Sequence, residues 1–212
     1  TVVDHHASPS CTEGSLDLVE RAFREVGLSG CLCYEVSDRN REGDGIEENE
    51  RFIRKCRASD DDQITALDGL HASMTLGTKT LMRCAEGGHE LGTGFHVHVA
   101  EAEADGDITF ERYKKRLMDR FLDYGIPGEK TLFIHGVCLD ARGMDILKTT
   151  DSMLVNNPES NMNNGLGVTP LLENLARGVW VGLGTDGMSS HMISQARAMY
   201  LMQRGDWRDP SV

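Results

Sequence analysis

The sequence predicts an α/β fold: a TIM-like (β/α)8 barrel that is incomplete, with strands two to eight present and the first βα unit missing. Short apolar runs alternate with segments of helical periodicity, and this alternation builds a parallel sheet. Polar residues follow nearly every apolar run, as they do around the rim of a closed barrel, whereas an open sheet concentrates them at one switch point. We expect a single partial barrel domain over residues 1–212.

The length supports this interpretation. The chain has 212 residues, whereas a complete barrel takes about 250. The sequence begins within an apolar run at Thr1, so the simplest account is a barrel without its first strand and helix. Such a barrel leaves strand edges unpaired, and we therefore expect residues 1–212 alone either to be poorly soluble or to associate through the gap as a homo-oligomer.

Seven strands are predicted from apolar and β-branched runs, each followed by a helix. The predicted strands cover residues 1–4, 31–36, 64–72, 94–100, 131–135, 152–157 and 179–184. The predicted helices cover residues 15–26, 46–56, 78–90, 107–124, 140–148, 169–178 and 190–202. In the first of them, Leu16, Val19, Phe23 and Val26 share the apolar face, and Gly27 is placed to end the helix.

Composition excludes several classes of partner. The net charge of -12 argues against nucleic acid, because phosphates would be repelled. No run approaches the roughly 20 apolar residues of a membrane helix, and the start does not resemble a signal peptide. The six cysteines lie in or beside predicted core elements, which favours free buried thiols in a reducing cytosol and predicts a cytoplasmic protein.

Four polar residues stand where apolar runs stop: His98 and Glu101 in GFHVHVAE, His135 in LFIHG, and Asp186 in VGLGTDG. The carboxyl ends of barrel strands meet on one rim, so these side chains are expected to converge there. Imidazole and carboxylate groups are ligands for a divalent ion of the zinc type. The pattern therefore predicts a catalytic metal site at the mouth of the barrel.

Each residue also has an ordinary structural interpretation. A lone His98 would be a hydrogen-bonded core histidine, and Asp186 in GTDG would be a turn aspartate. Glu101 could belong to the acidic run EAEADGD, a solvated loop or helix start. Because His98, His135 and Asp186 also stand at the ends of apolar runs, we favour a catalytic role for Glu101. Glu103 and Asp105 are assigned to the solvated loop or helix start.

The runs HVHVAE, NNPESNMNNGLG and GLGTDG, in this order, resemble the aminohydrolase and chlorohydrolase branch of the amidohydrolase superfamily of metal-dependent hydrolases. Within that branch, VVDHHASPS, CYEVSDRN and GLHASMTL are similar to SsnA-type aminohydrolases. The resemblance implies hydrolysis of a C–N bond in a small molecule, either an amino-substituted nitrogen heterocycle or an amidine-like compound. It also implies one divalent metal ion, zinc or alternatively iron.

Carried over by residue, the resemblance makes His98 a metal ligand and Asp186 both a ligand and the base that takes a proton from the activated water. Glu101 would pass protons to the ring nitrogen and the leaving group. His135 would bond the attacking hydroxide or lie close to the metal, as a further ligand. The strand-four end places His71 as a substrate contact or as a plain rim histidine, and these alternatives stay open.

The Asn-rich loop after strand seven would shape the site, with Asn157 contacting substrate and Asn161 supporting the rim, unless the loop is merely a capped turn. His191 is expected to be structural or a rim residue.

The largest departure from the resemblance is the missing pair of histidines, spaced HxH, of the first strand. His96 and His98 have that spacing, but three βα units precede them. His5 and His6 cannot replace the pair, because adjacent residues on a strand face opposite ways. We therefore expect residues 1–212 alone to be inactive. The alternative is a truncated or degenerate barrel that catalyses nothing.

Overall fold

A computed structural model of the protein describes residues 1–212, which form two compact units. The first unit comprises Thr1–Val97 with Asp123–Ile126, and the second comprises His98–Leu122 with Pro127–Val212. Strands alternate with helices along the chain, as predicted. None of the helices combines the length and the apolar character that a membrane crossing requires.

The first unit contains the elements that precede residue 98. Its strands are β1 (Val2–His6), β2 (Gly30–Tyr34), β3 (Ile64–Ala66), β4 (Asp68–Ala72) and the start of β5 (Phe95–Val99). Its helices are α1 (Ser15–Glu25), α2 (Ile46–Ala58) and α3 (Thr78–Glu90), with a single 3-10 turn at Ser73–Thr75. Strand β2 pairs in parallel with both β1 and β3, which is the predicted strand direction.

Apolar side chains from two helices and two strands form the core of the first unit. The buried members are Leu16, Leu32, Tyr34, Phe52 and Ile64, against which Val19 and Phe23 pack. Val26 was predicted on the same face but is 70% exposed, because it follows the last turn of α1. The buried carboxylate of Glu48 accepts hydrogen bonds from the backbone N–H groups of Gly14 and Leu16, 3.0 Å each, and so caps α1 from α2.

The run predicted as one strand over residues 64–72 is two short strands, β3 and β4, interrupted at Leu67. The side-chain amide of Asn49 forms hydrogen bonds with both backbone groups of Tyr34. Its oxygen accepts from the Tyr34 N–H at 2.7 Å, and its nitrogen donates to the Tyr34 carbonyl oxygen at 2.8 Å. The backbone N–H of Asp68 donates to Gly94 rather than to β2. The Asn49 side chain thus replaces one pair of backbone hydrogen bonds between β2 and the run over residues 64–72. The pattern of apolar residues along the sequence does not predict this replacement.

The second unit contains the end of β5 and the elements that follow. Its strands are β6 (Leu132–His135), β7 (Met153–Asn156) and β8 (Trp180–Leu183). Its helices are α4 (Glu103–Tyr113), α5 (Leu117–Asp123, of which the last residue lies in the first unit), α6 (Ala141–Thr149), α7 (Pro158–Asn163), α8 (Leu171–Ala176) and α9 (Met192–Trp207). Strand β7 pairs in parallel with β6 and β8.

One helix prediction and one loop prediction in the second unit were wrong. The single helix predicted over residues 107–124 is broken into α4 and α5 at Lys114, which has a left-handed φ of 55°. On the two sides of this break, Phe110 in α4 is 57% exposed and Phe121 in α5 is fully buried. The segment after β7, interpreted as irregular backbone, contains the short helix α7 with Pro158 in its first turn.

All six cysteines are free, as predicted, but only Cys33 and Cys84 are buried. Cys11 and Cys138 are exposed, so the expectation of buried thiols was wrong for these two. Both lie outside the helices and strands of the structure.

Candidate active site

The second unit brings together two of the predicted histidines at neighbouring strand ends. His98 is the second-last residue of β5, and His135 is the last residue of β6. Their ring centroids are 5.4 Å apart with the planes tilted by 42°. The backbone N–H of Gly136 donates to the carbonyl oxygen of Val99 at 3.0 Å, which holds the two strand ends together.

His135 is buried and has a left-handed backbone, with φ of 77°, a conformation that costs free energy for a residue with a Cβ. Two donors fix its carbonyl oxygen: Nδ2 of Asn156 at 2.8 Å and the hydroxyl of Thr169 at 3.1 Å. Its ring Nδ1 lies 3.1 Å from the side-chain oxygen of Asn161 on α7. With Nδ1 donating to that oxygen, Nε2 keeps the lone pair that a metal ion or a proton needs.

Glu101 lies beside the free edge of the His135 ring. Its Oε1 is 3.8 Å from Nε2 of His135, and its side chain is 37% exposed. The preceding Ala100 has a left-handed φ of 47°, and its N–H donates to the carboxylate of Asp105 at 2.9 Å. Asp105 is buried, so its assignment to a solvated helix start was wrong. Its carboxylate stabilises the turn that positions Glu101.

Asp186 follows β8 and also has a left-handed φ, of 50°. Its Oδ2 accepts a hydrogen bond from the hydroxyl of Ser160 at 2.5 Å, and its Oδ1 accepts from the N–H of Gly187 at 2.7 Å. Asp186 is exposed and does not belong to any group of three His, Cys, Asp or Glu side chains whose ligand atoms lie within 4.8 Å of one another. Ser160 therefore holds the carboxylate in this conformation.

The donors at the strand ends fit a divalent ion. Two imidazoles with a carboxylate beside them are ligands that zinc and iron both accept. His98 and His135 would hold the ion, and Glu101 is close enough to His135 to face the same space.

Of the remaining predicted residues, His71 and His191 have side-chain partners and Asn157 is buried. His71 belongs to the first unit, where its Nδ1 lies 2.7 Å from the hydroxyl of Thr75. Asn157 is buried at the start of α7 without a side-chain capping bond. His191 caps α9, with Nδ1 accepting from the N–H of Ser194 at 3.0 Å, which agrees with its structural assignment.

A cavity of about 300 Å³ in the second unit lies beside the Glu101 turn rather than at the paired histidines. It is lined by Ala100, Glu103, Phe110 and Arg116, among others, and by none of the four predicted site residues. This cavity is thus not lined by the residues that the sequence predicts for the site.

Sequence reasoning missed the residues that support His135 and Asp186. Asn156 and Thr169 bind the carbonyl oxygen of His135, and Ser160 binds the carboxylate of Asp186. A hydrogen-bonding role for Asn156 was predictable from the sequence, because a buried amide at a strand end requires hydrogen-bond partners. No such role was predictable for Ser160 and Thr169, since hydroxyl residues are common in loops.

The profile of the Amidohydrolase family matches residues 1–212, and the chain belongs to this family. The chain is 32% identical over 179 residues to a 5'-deoxyadenosine deaminase of Methanosarcina acetivorans, a match that covers 83% of the chain and 41% of the relative. It is 31% identical over 204 residues to a 5-methylthioadenosine/S-adenosylhomocysteine deaminase of Thermococcus onnurineus, covering 93% of the chain and 48% of the relative. The family identification is confirmed, and the chain spans about half the length of these curated relatives.

Solved structures confirm the fold. An adenosine deaminase from Xanthomonas campestris with bound zinc superposes with a TM-score of 0.84 at 18% identity, over 93% of this chain and 47% of that one. A guanine deaminase from C. acetobutylicum with bound guanine superposes with a TM-score of 0.86 at 15% identity, over 100% of this chain and 54% of that one. The chain thus has the fold of about half of each of these enzymes, in agreement with the predicted α/β barrel architecture.

Proposed function

We propose that this chain forms part of a metal-dependent aminohydrolase that removes an amino group from a nitrogen heterocycle by hydrolysis. The observation that carries the proposal is the pairing of His98 with His135, with Oε1 of Glu101 at 3.8 Å from Nε2 of His135. Family membership supports the metal dependence, because the matching relatives and structures include enzymes named as deaminases and one with bound zinc.

A bound divalent ion lowers the pKa of water to about 7 and so supplies a nucleophile at neutral pH. The two imidazoles offer their nitrogen atoms to that ion. Nδ1 of His135 is engaged by Asn161, so the ring is held with Nε2 directed toward Glu101.

Glu101 and Asp186 each carry out a different proton transfer. Glu101 is partly exposed and lies at a turn, so it can take up a proton and deliver it to the ring nitrogen and the departing amine. Asp186 acts as the base that takes the proton of the attacking water, once its carboxylate leaves Ser160. When Nε2 of His135 carries a proton instead of binding the ion, it donates a hydrogen bond to the oxygen of the tetrahedral species.

We propose an aminopurine, free or as a nucleoside, as the small-molecule substrate. The names of the relatives support this class, since they include 5'-deoxyadenosine and 5-methylthioadenosine/S-adenosylhomocysteine deaminases. A structure with bound guanine supports a purine ring in the same fold. An s-triazine is the second choice, because triazine hydrolases share the fold with a TM-score of 0.87.

The test is ammonia release by the protein at its natural length from 5'-deoxyadenosine, guanine and an amino-triazine. We expect Asp186→Asn and Glu101→Gln each to lower turnover by more than tenfold. The matched controls are Asp151→Asn, an exposed aspartate that shares the left-handed backbone, and Glu103→Gln, an exposed glutamate two residues from Glu101. Turnover of both site variants within tenfold of the wild type would show that the assigned roles are wrong.

A further inference from the structure

A second cluster of metal-ligand side chains lies in the first unit and contains none of the residues assigned to hydrolysis. His5 at the end of β1, Cys33 in β2 and His96 in β5 each offer a ligand atom, and these three atoms all lie within 4.8 Å of one another. Cys33 and His96 are buried and His5 is half-buried. Three neighbouring parts of the chain thus direct two imidazoles and one thiol at a common point.

We propose that His5, Cys33 and His96 form a binding site for a thiophilic metal ion, Zn²⁺ or a similar ion.

The spacing of the ligand atoms suits such an ion. Sγ of Cys33 lies 3.4 Å from Nδ1 of His5. A tetrahedral ion with Zn–S of about 2.3 Å and Zn–N of about 2.0 Å places these two atoms about 3.5 Å apart. The rings of His5 and His96 have centroids 4.4 Å apart, so the second imidazole approaches from the same side.

The ring nitrogen of His5 that does not face Cys33 lies near a carboxylate. This nitrogen, Nε2, lies 3.7 Å from Oε2 of Glu35, and both side chains are nearly buried. A carboxylate on the far nitrogen of a metal-binding histidine fixes the ring orientation and makes the ligand nitrogen more basic. The adjacent His6 faces the opposite way, with its ring against Ser8 and Tyr34, as the strand geometry requires.

The electrostatics around Cys33 favour a cation. Burial, and then the neighbouring charges of Cys31, Asp4, Asp68 and Glu35, raise the pKa of the Cys33 thiol well above its usual value. A thiolate alone would be unstable in these surroundings. A divalent ion replaces the thiol proton, which leaves to solvent, and compensates both the burial and the surrounding negative charge.

Cobalt binding to the full chain tests this site, because a thiolate ligand gives a near-ultraviolet charge-transfer band and the residues assigned to hydrolysis contain no sulfur. The exposed Cys11 and Cys138 are first replaced by Ser, so that surface thiols cannot contribute. In this background we expect stoichiometric Co²⁺ to produce the band. Cys33→Ser should abolish it, whereas Cys31→Ser, two residues earlier on β2, should retain it.

The absence of the band, or its persistence in Cys33→Ser, would overturn the proposal. X-ray absorption of the zinc-loaded background protein covers the case in which Cys33→Ser does not fold. There the proposal requires a sulfur atom at about 2.3 Å from zinc, and a spectrum with only nitrogen and oxygen neighbours would refute it. Neither measurement depends on activity, so a failed hydrolase assignment leaves this test intact.

Discussion

The side-chain oxygen of Asn161 lies 3.1 Å from Nδ1 of His135, and both residues are buried. This contact selects the tautomer of a histidine that the strand end places beside Glu101. An imidazole that donates from Nδ1 presents a lone pair at Nε2, where either a metal ion or a proton can bind. Asn161 is thus a positioning residue for His135.

Replacement of Asn161 should change the proton distribution on the His135 ring. Nitrogen chemical shifts from long-range ¹H–¹⁵N spectra should show the Nδ1–H form in the wild type and a shift toward the Nε2–H form in Asn161→Ala. The control is Asn163→Ala, an exposed asparagine on the same helix, which should leave the spectrum unchanged. An Nε2–H ring in the wild type would contradict the assigned hydrogen bond.

Burial and the nearby charge of Glu50 raise the pKa of Asp68 to about 8, although Asn49 donates a hydrogen bond to it. In the unfolded chain the pKa is about 3.9. Between these values the folded protein holds a proton that the unfolded chain releases, so rising pH favours unfolding. The stabilising contribution is complete below pH of about 4 and is lost as pH rises through the folded pKa.

Asp68→Asn should remove this part of the pH dependence. The difference in free energy of unfolding between variant and wild type should move in favour of the variant as pH rises, by at most about 1.4 kcal/mol per pH unit. Urea unfolding at several pH values between 5 and 8.5 measures it, with the exposed Asp62→Asn as control. A difference that stays constant across this range would mean that Asp68 is ionised in the folded protein.

Gly69 in β4 allows a close approach between two strands. A Cβ on Gly69 would lie 2.2 Å from the carbonyl oxygen of Tyr34, a backbone atom that cannot move independently. Gly69→Ala should therefore lower the free energy of unfolding by about 3 kcal/mol or more. Gly106→Ala is the control, since Gly106 lies within helix α4 with open space around its Cβ position.

The control should be neutral or should gain about 0.5 kcal/mol, because alanine has the higher helix propensity. Thermal or urea unfolding of both variants measures the contrast. Equal stability of Gly69→Ala and the wild type would show that β2 and β4 are farther apart than the structure places them.

The sequence allowed prediction of the elements whose limits are set locally. Helix α3 was predicted over residues 78–90, the bounds it has in the structure, because periodic apolar residues follow Gly77. The strand ends at His98 and His135 were also predictable, since an apolar run stops there. Local pattern was sufficient wherever an element depends on its own residues.

Non-local effects account for the failures. The break at Leu67 depends on Asn49, which is distant in sequence, and the break at Lys114 depends on a left-handed backbone that lysine does not favour. Ala100, His135 and Asp186 also have left-handed backbone conformations. These could not be predicted, because none of the three residues is glycine. Each is held by contacts from elsewhere in its unit, as Asp105 holds Ala100.

The dependence of turnover on a divalent metal tests the central claim most directly. The protein at its natural length is assayed for ammonia release from 5'-deoxyadenosine before and after chelation, and again after addition of one equivalent of Zn²⁺ or Fe²⁺. We expect chelation to lower turnover by more than tenfold and metal addition to restore it in the wild type but not in His98→Ala. Turnover that survives complete removal of metal would contradict the assignment of His98 and His135 to a metal-dependent aminohydrolase.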